Sequence, residues 1–167
     1  GKYEVKAIDI NKLLISVASM FGRTRKNLEI YNQVDSSRIV VEADKRQIEQ
    51  VLLNILINAW QAMPGGGEIF LETSVASLGK QICDSHGVSA GRFAKIAITD
   101  NGIGMDESTK KRIFDPFFTT KDKGRGTGLG LAWAYGIVRN HSGFITVYSE
   151  IGKGTTINVH LPMSDQD

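Results

Sequence analysis

An acid at the end of an apolar strand, two asparagines one helical turn apart and a ladder of glycines are the residues here with chemistry to offer. Asp100 closes "FAKIAITD" and enters "DNGIGM". An ionised carboxylate accepts hydrogen bonds and donates none. That suits an exocyclic amino group such as adenine's, whereas the carbonyl oxygen that guanine carries there would be repelled. Gly102 and Gly104, lacking Cβ, would let backbone pass close to a flat ring, with Ile103 and Met105 as apolar walls. "DNG" is also ordinary turn chemistry, and on this segment alone the turn is the simpler account.

The asparagines sit in "QIEQVLLNILINAWQAM". On a helical wheel Ile48, Val51, Leu52, Ile55, Ala59 and Ala62 share one side, and Leu53, Leu56, Ile57 and Trp60 cover most of the rest. The remaining stripe is Gln47, Gln50, Asn54, Asn58 and Gln61, all uncharged amides where a solvated face would carry Lys and Glu. Asn54 and Asn58 point the same way. Their carbonyl oxygens could serve Mg²⁺, which takes few protein ligands and completes its shell with water and phosphates. A buried amide pair bonded to backbone explains this helix equally well when it is taken alone.

"GRGTGLGLA" is the stronger signal. Gly124, Gly126, Gly128 and Gly130 alternate, and Leu129, Leu131, Ala132 and Trp133 then begin a helix. Glycine weakens a helix start, so close backbone approach is the better reason for it. The unpaired N–H groups of a helix N-terminus favour an anion such as phosphate. No Gly-Lys-Ser/Thr ends the run and no strand feeds it directly, which sets aside the P-loop and the dinucleotide fingerprint. Upstream, Lys110 to Arg125 holds six basic residues against Asp115 and Asp122, with Phe114, Phe117 and Phe118 around Pro116. Exposed aromatics beside a basic loop suggest a lid that docks.

These residues need elements to hold them. "IDINKLLISVASMF" puts Leu13, Leu14, Val17, Met20 and Phe21 on one helical face, with Asp9 or Asn11 as N-cap. "SRIVVEA" reads as a strand, and Asp44 opens the asparagine helix, which should stop near Met63 at "PGGG". "EIFLETSV" and "FAKIAITD" alternate as half-buried strands, with Ala76 to Arg92 between them as a surface loop. A helix follows Asp106, another runs from about Leu129 to Asn140, and two strands joined at "IGKG" finish the chain. This order predicts an α+β, two-layer α/β sandwich: a mixed, mostly antiparallel sheet covered on one face by helices.

The 167 residues suffice for a single domain spanning 1–167 with its own core. A net charge of +2 gives no case for nucleic acid, and none is expected as a partner. The lone Cys83 cannot form an internal bridge, which is consistent with a reducing, cytoplasmic setting. The longest apolar run, "VLLNILINAW", is interrupted by its asparagines and falls short of a membrane span.

Taken in order, "QVLLNILINAWQAM", "DNGIGM", "IFDPFFTTK" and "GRGTGLGLA" resemble the asparagine box, first glycine box, phenylalanine box and second glycine box of sensor histidine kinase catalytic domains. "GKGTTINVHLP" is similar to that family's closing hairpin, and the "PFFTTK" form looks most like the nitrogen-regulatory subtype. The resemblance implies a Bergerat ATP-binding fold with ATP and Mg²⁺ as cofactors. Asn58 would ligate the metal, and Asn54 would assist there or at the phosphates. Asp100 would bind the adenine amino group in a pocket with Gly102, Ile103, Gly104, Met105 and Phe114. Thr155 would sit near the adenine. Gly126, Thr127, Gly128, Leu129 and Gly130 would serve the phosphates, and Lys121 would reach one of them. Residues 1–8 would be a linker from an upstream domain, 119–127 the ATP lid and 163–167 a tail.

In such a kinase, catalysis is mostly positioning and charge neutralisation while a histidine on a separate dimerisation domain attacks the γ-phosphorus. His86, His141 and His160 lack the acidic neighbour that family phosphoacceptors carry. They read instead as a loop residue, a helix C-terminal residue and a solvent-facing strand residue. The expected partners are that histidine-bearing domain and, indirectly, a response regulator. The fragment would be monomeric and cytoplasmic, and its parent a homodimer that could be membrane-anchored. Two other readings keep the ATP site: a serine kinase of the anti-sigma-factor type, and an ATP-gated clamp. Clamps carry glutamate where this chain has Asn54, so hydrolysis should be poor.

Overall fold

A computed structural model describes residues 3–116, 118 and 130–165. Acids open three helices as their side chains accept from backbone N–H groups: Asp9 from Lys12 at 3.1 Å, Asp44 from Gln47 at 3.1 Å and Asp106 from Thr109 at 2.7 Å. The element order is β1 (Val5–Asp9), α1 (Ile10–Arg23), β2 (Leu28–Gln33), β3 (Val40–Asp44), α2 (Lys45–Gln61) and β4 (Gly67–Leu78). It continues with α3 (Lys80–Ser85), β5 (Gly91–Asp100), α4 (Glu107–Lys110), α5 (Gly130–Asn140), β6 (Phe144–Glu150) and β7 (Gly154–Pro162).

β1 and β3 form a small antiparallel pair, and the main sheet runs β2-β4-β5-β7-β6 with only β2–β4 parallel. Alternate residues of β4, β5 and β7 (Ile69, Leu71; Ala94, Ile96, Ile98; Ile157, Val159, Leu161) meet the apolar faces of α1, α2 and α5 in one core. This is the mixed, mostly antiparallel two-layer arrangement expected. Asp100 and Thr155 stand opposite each other in the β5–β7 register and share the parity of that inner face.

Four local expectations change. Residues 5–8 are not linker: they form most of β1, paired with β3. Residues 163 and 164 are pinned rather than trailing, since Met163 N–H donates to Arg92 O and Ser164 N–H to Val40 O, both at 2.9 Å. β2 is a strand that sequence alternation did not reveal, because at the sheet edge only Leu28 is buried. Met20, placed on the buried face of α1, is 65% exposed.

The expected surface loop 76–92 is instead the end of β4, the helix α3 and the start of β5. α3 folds over one corner of the outer sheet face and makes a second small core of Cys83, Phe93 and Phe144. His86 and His160 stack on opposite sides of this corner's Phe144, at centroid distances of 4.1 and 4.2 Å. His160 is therefore buried, not solvent-facing. Burial, reinforced by the charges of Lys95 and His86, lowers its pKa to about 4.

The unfolded chain thus takes up this proton first as pH falls, so stability is lost between pH 6.5 and about 4. Allowing for solvent screening, roughly 2 kcal/mol is at stake. His160→Phe should keep the stack and flatten this part of the profile. Urea unfolding of both proteins at pH 7 and pH 5 checks it, and parallel losses would deny His160 the effect.

Candidate functional site

α2 touches both halves of the expected site. At its C-terminal end the Ala62 carbonyl accepts from Ile103 N–H at 3.0 Å, which clamps the turn after Asp100 onto the helix. One turn earlier, Asn58 O accepts from Ala62 N–H at 3.1 Å. A further turn back, Asn54 Nδ2 donates to the Gly130 carbonyl at 2.8 Å, tying the first residue of α5 to the same face. Asn54, Asn58 and Asp100 are therefore gathered along a single helix and the sheet end beneath it.

Asp100 is 3% exposed and has no ion-pair partner among the described residues. Burial raises its pKa, while the N–H groups of Gly102, at 2.8 Å from Oδ1, and Thr155 pull it down. A carboxylate has about four acceptor sites, so two backbone donors leave capacity for a ligand's N–H. Thr155 is buried next to it, and its hydroxyl bonds Ser149 Oγ at 2.8 Å. Ser149 also accepts from Met105 N–H at 2.8 Å, so the turn is fastened to β6 as well as to α2.

The glycines have a use within the fold itself. A Cβ on Gly102 would run into the Ala62 carbonyl, and one on Gly104, at φ +72°, into the Glu150 carbonyl. Their hydrogens make room for protein backbone, letting the turn be clamped from both sides. Gly154, at φ +102°, does the same against the Asp100 carbonyl and was not singled out from sequence. Its only signal was the "GKG" of the closing hairpin.

Ile103 is 59% exposed and Met105 half-buried at the edge of this turn. Phe114 is not an exposed docking aromatic: it packs against the main core, 5.2 Å from the Tyr135 ring. Phe118 is half-buried, with the Arg112 guanidinium 4.6 Å over its ring. Lys121, Gly126, Thr127, Gly128 and Leu129, with the lid over 119–127, lie outside the described residues. Asn101 proves structural, its Oδ1 accepting from Glu68 N–H at 2.9 Å and its Nδ2 donating to Glu68 Oε1 at 3.1 Å. His141 stands at the C-terminal end of α5 as expected, and its ring is held on both sides: Nε2 accepts from Asp44 N–H at 3.1 Å while Nδ1 meets the Ile137 carbonyl at 2.8 Å.

The sequence profile described as "Histidine kinase-, DNA gyrase B-, and HSP90-like ATPase" matches residues 43–165. The chain belongs to this ATPase family. Among its relatives, Sensor kinase CckA of Brucella abortus (strain 2308) is 36% identical over 161 residues, covering 94% of this chain and 17% of that protein. Signal transduction histidine-protein kinase AtoS of Escherichia coli (strain K12) is 41% identical over 154 residues, with coverages of 92% and 22%. The ATPase domain thus spans about a fifth of the length of these curated relatives. Its fold is that of histidine kinase catalytic domains. The catalytic domain of histidine kinase ThkA superposes with a TM-score of 0.77 at 27% identity, covering 95% of each chain. Full-length ShkA in complex with AMPPNP gives 0.76 at 25% identity, covering 98% of this chain and 32% of that one.

As a member of this ATPase family the chain binds ATP, and the donor set around Asp100 fits an adenine: a buried carboxylate with spare acceptor capacity beside a clamped turn. No helix among the described residues is long and apolar enough to cross a membrane. No cluster of three or more His, Cys, Asp or Glu gathers among them either, so a cation here would rest on amide oxygens and phosphates. Asn54 fits that task less well than the sequence implied, since its Oδ1 already accepts from Gln50 Nε2 at 2.6 Å.

Proposed function

We propose that this chain is the ATP-binding catalytic domain of a sensor histidine kinase, which presents the γ-phosphoryl group of ATP to a histidine on a separate dimerisation domain. The observation that carries the reading is Asp100, a buried acid without a counter-ion among the described residues, at the foot of the asparagine helix. Asp100 accepts from the adenine amino group, and the Gly102 and Thr155 N–H groups favour its ionised form against the larger, opposing effect of burial. Asn58, one turn from the clamped end of α2, would hold the magnesium ion through its side-chain carbonyl oxygen. Magnesium, when bound, supplies charge neutralisation at the phosphate oxygens. The first-turn N–H groups of α5, from Gly130 on, would serve the phosphates, as a helix N-terminus favours an anion. Lys121 and the glycines before Gly130 would serve the same phosphates.

The names of CckA and AtoS support the kinase branch over the clamp branch, as does Asn54 in the place of a glutamate. Asn54 cannot take a proton from water, so this domain conserves ATP for transfer. Its partners are the histidine-bearing domain of a homodimeric parent and, through that histidine, a response regulator, with the chemistry done on the cytoplasmic side.

Mixing the chain with a dimerisation domain from a related kinase and Mg-ATP is expected to produce acid-labile, base-stable phosphate on histidine. Calorimetry should show nucleotide affinity that depends on magnesium. Acid-stable phosphoserine on a protein partner would overturn the histidine kinase reading.

A further inference from the structure

Gln50 lies on the amide stripe one turn before Asn54, and nothing above gives it a task. Its Nε2 donates to Asn54 Oδ1 at 2.6 Å, and Asn54 Nδ2 donates to the Gly130 carbonyl at 2.8 Å. The two bonds form a directed relay from the middle of α2 to the first residue of α5.

Direction is what makes the relay informative. An amide side chain has a donor end and an acceptor end of nearly the same shape. With its nitrogen towards Gly130, Asn54 attracts that carbonyl; turned over, it would set oxygen against oxygen. Gln50 selects the attractive orientation, because its own N–H needs an oxygen to meet. Asn54 is 8% exposed, so water offers little alternative. Gln50 itself is half-buried, on the wall of a groove floored by Val17, Phe21 and Leu53.

We infer that Gln50 is a positioning residue for the triphosphate. By fixing the orientation of the Asn54 amide it holds Gly130 against α2, and so aims the first-turn N–H groups of α5. This rests on the nucleotide reading above and adds to it a residue that touches neither base nor phosphate.

Calorimetry with Mg-ATP and with adenosine, which lacks phosphates, tests the inference on the whole chain. In Gln50→Glu the new carboxylate draws the Asn54 N–H₂ to itself and turns its oxygen onto Gly130. Mg-ATP should then bind roughly tenfold more weakly, with adenosine unchanged. Gln50→Met, apolar and close in size, removes the preference without reversing it and should cost about threefold. In an Asn54→Ala background Gln50→Glu should add nothing, which separates the relay from simple charge repulsion at the phosphates. Equal loss for ATP and adenosine, or a loss that persists without Asn54, overturns the inference. If Gln50→Glu does not fold, an unchanged ATP-to-adenosine ratio in Gln50→Met overturns it as well. An unsubstituted chain that binds neither ligand sinks the nucleotide reading too, whereas one that binds both while the variants match it sinks only the relay.

Discussion

Asp100→Asn should weaken Mg-ATP, ADP and adenosine alike by about 10- to 100-fold, because it swaps an acceptor for a donor facing the adenine amino group. The loss at adenosine is the signature, since phosphate contacts are untouched. Folding should hardly suffer. Burial raises the Asp100 pKa, so its ionised form is a cost to the fold. The group favours folding below the ordinary carboxylate pKa of 3.8, and that favour is lost as pH rises through the raised folded value. The asparagine removes the charge and still offers one oxygen to the Gly102 and Thr155 N–H groups. Stability in urea should therefore stay within about 1 kcal/mol of the parent. The same raised pKa predicts that adenosine affinity falls on acidification sooner than an exposed aspartate would allow. Calorimetry of both proteins across the acid range checks both statements. An asparagine variant with parental affinity would clear Asp100 of base recognition.

The second large effect belongs to Gly104. Its φ of +72° is in the left-handed region, and a Cβ there would strike the Glu150 carbonyl. Gly104→Ala carries the left-handed cost of about 1–2 kcal/mol. It also forces the turn off β6, so about 3 kcal/mol or more should be lost in all. Nucleotide affinity should fall with it, because the same turn carries Gly102 and its bond to Asp100. Gly65 supplies the control: its φ is +90°, but its missing Cβ faces open space. Gly65→Ala should show only the backbone cost, about 1 kcal/mol. Urea unfolding of the two variants separates contact from conformation, and equal losses would mean that the abutment on β6 contributes nothing.

Much of this architecture could be read from local chemistry. Asp9, Asp44 and Asp106 marked helix starts because an acid before an apolar repeat is a physical cap, and all three cap in the fold. Asp100 was legible because an acid ending an apolar strand needs a reason. What escaped depends on neighbours remote in the chain. β2 buries a single residue and acquires its identity from pairing with β4 across a helix. α3 is too short to show a period, and the burial of His160 comes from Phe144 and the α3 corner rather than from its own strand. Gly102 and Gly104 drew attention as neighbours of a flat ligand, whereas the carbonyls of Ala62 and Glu150 that leave no room for a Cβ there come from distant parts of the chain. Asn54 pointed to the site, yet its amide is spent between Gln50 and Gly130.

The way the two sheets are stitched has a consequence for anyone trimming or dividing the domain. β1 finds its partner in β3, β2 pairs among the described residues with β4 alone, and residues 163–164 fasten to Val40 and Arg92. Each extremity of the fold is thus buttoned to its middle. Shortening the chain to the conventional motifs, from the asparagine helix onward, would remove the whole β1–β3 pair together with β2 and bare the edge of β4 to self-association. The stretch that precedes the recognisable boxes is part of the fabric, and a minimal version of this domain has to begin no later than β1.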